Sequence, residues 1–125
     1  MIIADSSYVS EGILVDRGLL GHEQILTADL AVFETANAIW KHQVLLHEID
    51  DGIPFLSVLF GLLRTNSVIA IKPDEQLMKV AYQLASRHNA PVYDMVFVAL
   101  ALGTGLELKS FDDSQMAIMK SESNR

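Results

Sequence analysis

No cysteine occurs among the 125 residues, which excludes disulfides and thiolate metal sites and weakly favours a reducing compartment. Long apolar runs are also missing. The two longest, Ile53 to Leu63 (broken by Ser57 and Gly61) and Met95 to Leu102, fall short of the roughly 20 residues that a membrane-spanning helix needs. The opening MIIADSS has no basic region before its apolar residues and meets an acid at position 5, unlike a secretory signal. A cytoplasmic protein is therefore expected. Cations are scarce: nine Lys and Arg stand against 16 Asp and Glu, a net charge of −7. Such a chain has little nonspecific attraction for nucleic acid, which depends on neutralising phosphates. A nucleic-acid enzyme is not excluded, because carboxylates that bind divalent cations count here as bare negative charge. Repeats, low-complexity tracts and Gly-, Ser- or Pro-rich linkers are absent. One domain over residues 1–120 is expected, followed by a frayed polar tail at 121–125.

What is present is a globular composition, half hydrophobic and one-fifth charged. Its hydrophobic period changes along the chain. Met1 to Ala4 reads as a strand covered on both faces, and Asp5-Ser6-Ser7 then caps a helix from about Tyr8 to Val15, stopped by Gly18 or Gly21. Ile25 to Thr27 is a short second strand. From Leu30 to about Leu46 the pattern is helical, with Phe33, Ala36, Trp40 and Val44 on one face, widened by Val32, Ile39 and Leu46. Glu34, Asn37, Lys41 and Glu48 share the opposite stripe. Pro54 to Arg64 is a helix apolar nearly all round, hence deeply buried or part of an interface. Ser67 to Ile71 is a strand, and Pro73-Asp74 opens a helix broken by His88-Asn89-Ala90-Pro91. Val92 to Leu102 is a helix ended by Gly103 and Gly105, and Leu106 to Phe111 is a last short strand.

Strands alternating with helices imply an α/β fold, with a central parallel sheet of about four strands between two helical layers. Ligands of such sheets bind beyond the carboxyl ends of the strands. Asp5 and Asp112 stand at the ends of the first and last strands, and Asp94 stands in a first helical turn, where the dipole favours an anion. With Glu34 they form a candidate rim of carboxylates. Gathering them is unfavourable without a counter-charge, since one pair at 4 Å costs about 4 kcal/mol at an effective dielectric of 20. A divalent cation removes that cost, and oxygen-only ligation selects Mg²⁺ or Mn²⁺. Each acid also has a plainer role open to it. Asp5 suits a helix cap, Glu34 with Asn37 a solvated face, Asp94 a first-turn charge, and Asp112-Asp113 a cap for Ser114 to Lys120. The histidines point away from zinc: His42 and His47 are five apart, not the four that share a helical face, while His22 and His88 fall in expected surface loops.

Three stretches, IIADSS, ADLAVFETANAIWK and PVYDMVFVALALGTGLELKSFDD, together resemble the PIN domain, in particular the short VapC-type toxins. The family pattern is a strand ending in Asp-Ser/Thr-Ser, a helix with Glu followed by Asn, Tyr-Asp before an Ala/Leu-rich helix, and Thr/Ser-x-Asp after the last strand. Asp5, Glu34, Asp94 and Asp112 fall on its four acidic positions, Asn37 on the asparagine and Ser110 on the hydroxyl. The resemblance implies a PIN-like three-layer α/β/α fold and a Mg²⁺- or Mn²⁺-dependent endoribonuclease. It also implies a cognate antitoxin and a homodimer, with the first helix and Pro54 to Arg64 as contact surfaces. Asp5 and Asp94 are then the principal metal ligands, with Asp112 completing the site directly or through water, and Glu34 positions water or holds a second ion. Ser6, Ser7, Asn37 and Ser110 would orient these carboxylates, and Lys41 is a candidate phosphate contact. The Ser-x-Asp spacing selects Asp112 over Asp113. Many members continue after the fourth acid with a helix and a strand, for which only about a dozen residues remain here, so that sheet edge is either missing or paired otherwise.

Two other function classes compete. A receiver-type phosphoacceptor needs an early acidic pair, a central acceptor aspartate and a late strand-end lysine; here Asp5 stands alone, and the strand at Ile71 leads to Lys72-Pro73-Asp74. A PIN-like domain kept for non-catalytic binding or regulation is the other, and the full set of acids counts against it.

Overall fold

The computed structural model describes all residues, 1–125. Strands β1 (Ile2–Ala4), β2 (Ile25–Ala28), β3 (Val68–Ile71) and β4 (Leu108–Lys109) form one sheet in the order β3-β2-β1-β4, and all neighbours are parallel. In β1, Ile3 points into one core while Ile2 and Ala4 point into the other, the two-residue period of a strand covered on both faces. Helices α1 (Ser6–Leu14), α2 (Leu30–Trp40) and α3 (Ile53–Arg64) cover one face, and α4 (Glu75–His88), α5 (Val92–Thr104) and α6 (Asp113–Ser123) the other. The fold is thus the three-layer α/β/α arrangement expected. No helix is long and apolar enough to cross a membrane.

Helix α1 starts earlier than expected because Asp5 caps it, accepting a hydrogen bond from Tyr8 N. It ends at Leu14, before either glycine; Asp16 then caps a 3₁₀ turn at Arg17–Leu20. That turn lies so close to α1 that a Cβ on Gly12 would sit within 2.4 Å of the Leu20 side chain. Helix α5 ends where Gly105 adopts φ 73°, the left-handed cap that glycine accepts without strain.

Five expectations are corrected. Helix α2 buries Ala31, Thr35 and Ile39, whereas Phe33, Trp40, Val44 and Leu46 are exposed. Small residues win that face because α2 packs closely on α1, where Ser10 Oγ donates to Thr35 Oγ1 at 3.2 Å. The α-helix also stops at Trp40 and loosens into a π-helical turn over Lys41–Leu45. Strand β4 has two residues rather than six, because the amides of Phe111 and Asp112 turn to the hydroxyls of Ser7 and Ser110 instead of a ladder. Finally, residues 121–123 belong to α6. The half-buried His88 side chain meets the buried Glu122 carboxylate, which also faces Arg87 at 3.4 Å and Arg125 at 3.6 Å. His88 is the last residue of α4, not a free loop residue.

Candidate active site

Everything at the carboxyl end of β1 converges on Asp5, which is only 1% exposed. Its Oδ1 accepts from Ser7 Oγ at 2.7 Å and from Tyr8 N at 3.0 Å, and its Oδ2 accepts from Ser110 Oγ at 2.6 Å. The two serine hydroxyls lie 3.5 Å apart. Each passes the connection on, since Ser7 Oγ accepts from Phe111 N at 2.9 Å and Ser110 Oγ from Asp112 N at 2.8 Å. Asp5 is therefore both a helix cap and the centre of a network joining β1 to the segment after β4. Buried carboxylates persist only when hydrogen-bonded in this way.

The other acids stand around it. Glu34 is half-buried on α2, and its Oε1 accepts from Ser6 Oγ at 2.5 Å. Asp112 caps α6 by accepting from Gln115 N at 3.1 Å through Oδ1 alone. Asp94 projects from the first turn of α5. Its carboxyl is held above the usual 3.8, first by burial and then by the negative charges of Asp112, Glu34 and Asp5. All three other acids thus act on Asp94. None of the four joins an ion pair with Lys, Arg or His. Asp113 is exposed and is not among the charges that raise Asp94.

Chemically this is an all-oxygen donor set carrying uncompensated negative charge, which fits a hard divalent cation. Free acceptors remain on Asp94, and on Glu34 and Asp112 beyond their single bonds. No three acids converge closely enough to form a ready-made cation cage, so a bound ion would draw these side chains inward. Asn37 is exposed and makes no side-chain hydrogen bond, so the orienting contact expected of it is absent. Lys41 is also exposed, and it lines a shallow cavity of about 440 Å³ with Phe33, Glu34 and Asn37. The largest cavity, about 590 Å³, lies among α5, α6 and the amino end of β4, away from the acids.

Sequence reasoning missed two contributors. The Tyr8 amide holds Asp5, and the Tyr8 ring stacks on Phe111, with centroids 5.7 Å apart and planes 15° from parallel. An aromatic between Ser110 and Asp112 was the available signal.

No known protein-family model matches the chain. Ribonuclease VapC3 of Pyrobaculum aerophilum is 32% identical to it over 99 residues, which cover 78% of this chain and 72% of that protein. The crystal structure of PAE2754 from Pyrobaculum aerophilum superposes with a TM-score of 0.71 at 21% identity, covering 94% of this chain and 83% of that one. This second likeness is one of fold.

Proposed function

The chain belongs to the VapC family of PIN-domain proteins, and from that premise we propose that it is a divalent-cation-dependent endoribonuclease, the toxin of a toxin-antitoxin pair. The carrying observation is Asp94: a carboxyl without a hydrogen bond, raised by burial and by three neighbouring acids, with no protein cation to offset them. Asp94, Asp5 and Asp112 would hold Mg²⁺ or Mn²⁺, and Glu34 would orient the attacking water or a second ion. When bound, the ion would supply an activated water and neutralise charge growing on the phosphate. Ser7 and Ser110 hold both oxygens of Asp5 in place, Ser6 donates to Glu34, and Lys41, which shares a cavity with Glu34, would meet a substrate phosphate. The proposal includes a cytoplasmic location, a cognate antitoxin, and a homodimer that uses the exposed side of α3, where Ile53 and Phe60 face away from the core.

Purified protein should cut single-stranded RNA with Mg²⁺ or Mn²⁺ and stop when EDTA is added. Asp5→Ala and Asp94→Ala should each lower the rate by at least about 100-fold, beyond the usual loss for a group one step removed from a metal. Parental rates in both variants would eliminate the site. The absence of a preformed cage keeps a binding-only module as a second reading. Calorimetric titration with Mn²⁺ separates the two, because a binding-only module would give no heat.

A further inference from the structure

Beside the acids, at the same carboxyl edge of the sheet but over β2 and β3, lies an open pocket of about 440 Å³. Phe33, Tyr93, Met78, Pro73 and Val92 line it, and Asp29 is its one charged lining residue. Its two aromatics immediately precede Glu34 and Asp94 in the chain. They are strongly exposed, Phe33 at 73% and Tyr93 at 56%. Phe33 also borders the cavity that holds Glu34 and Lys41, so the two depressions share a wall.

We infer that this pocket receives one unpaired base of an RNA strand whose neighbouring phosphate lies at the acids. The inference rests on the ribonuclease reading above and names how that site would grip its substrate. Charge supports this occupant. With a net charge of −7, the chain cannot draw RNA by a broad cationic surface; Lys109 at the end of β4 is paired with Glu107, while Lys41, in the wall of the neighbouring depression, and Lys72, next to Pro73 in the chain, join no ion pair. Backbone attraction being weak, affinity must come from elsewhere. Base stacking on exposed aromatics is the available source, and it requires unpaired bases because a duplex hides their faces. Asp29 adds an acceptor for an exocyclic amine or ring N–H at the pocket's edge.

The test compares a fluorescein-labelled, short random-sequence single-stranded RNA with an abasic ribose-phosphate chain of the same length. Anisotropy is read on the full chain with Ca²⁺ present, and cleavage kinetics with Mg²⁺. The parent should prefer the base-bearing strand by about tenfold or more. Phe33→Ala and Tyr93→Ala should each abolish most of that preference and raise KM about tenfold, with kcat changed less than about threefold. Phe33→Tyr and Tyr93→Phe, which keep a ring, should retain the preference. A parent that cuts RNA but binds both strands equally overturns the pocket while leaving the ribonuclease reading intact. A parent that prefers bases through Phe33 and Tyr93 yet cuts nothing with Mg²⁺ or Mn²⁺ supports the pocket and removes the nuclease. Alanine variants that keep the preference but sediment at a lower mass would mark the pocket as a contact between protein chains, and the inference would fall.

Discussion

Helix α5 carries VYDMVFVALALGT and α3 carries IPFLSVLFGLLR, segments of nearly equal length and apolar weight, yet Met95 to Ala101 of α5 are all buried and Leu59 is the only buried residue of α3. The difference lies in their neighbours. Helix α5 rests on the sheet with α4 along one side and α6 along another, so nearly every direction meets protein. Helix α3 touches α1, α2 and the outer strand β3, and its far side meets none. An apolar surface permits burial, and the number of layers available decides it.

Substitutions that shorten side chains should break this comparison most clearly. Phe97→Ala, at a residue 1% exposed in α5, should destabilise by about 3–5 kcal/mol in urea melts. In α3, Leu59→Ala should cost about 2–5 kcal/mol, whereas its chain neighbour Phe60, 45% exposed, should lose less than about 1 kcal/mol on the same change. Equal losses at positions 59 and 60 would mean that α3 is covered on both sides in solution. Phe60→Lys sharpens the point, since a subunit contact there should appear as a lower sedimenting mass with little change in monomer stability.

Covers can be loosened rather than cores emptied. Glu122→Gln removes the charge that ties α6 to the end of α4 and should cost about 1 kcal/mol at neutral pH. Hydrogen bonding to His88, aided by Arg87 and Arg125, holds the Glu122 carboxyl below its usual 4.5. A depressed folded value means the stabilisation is present above the unfolded value and is lost as pH falls through the folded one. The gap between parent and variant should therefore close in acid below about 4.5. A gap unchanged at low pH would show that packing, not charge, carries the latch.

The smallest effect has the opposite sign. Because Asp94 is raised in the folded protein, its ionised form opposes folding above that value, and the penalty vanishes below the unfolded 3.8. Metal-free Asp94→Asn should be more stable than the parent at neutral pH by a few tenths of a kcal/mol, the group being half-exposed and screened. The advantage should disappear in acid. A variant less stable than the parent would show that Asp94 serves the fold after all.

Much of this was legible in the sequence for definite reasons. The strands announced themselves by short β-branched or apolar runs ending in turn residues, and the acids by falling where those runs end. Helix α2 defies the periodicity because large apolar residues dominate such an argument, while Ala31 fits against the core on the α5 side and Thr35 fits the close approach of α1. The pairing of His88 with Glu122 joins positions 34 apart, which no local pattern reports. The exposed Phe33 falls on the apolar stripe of its helix for a related reason: composition does not say which side of a helix has a neighbour.

The hydroxyls of Ser7 and Ser110, which clamp opposite oxygens of Asp5, belong to residues 103 positions apart. During translation, Asp5 and Glu34 are made long before Ser110 and Asp112 exist to close the ring around them. Nearly the whole chain must be made, and a long loop closed, before the carboxylates can be assembled. On the ribonuclease reading proposed above, a nascent chain of this design stays inert until its synthesis is nearly finished.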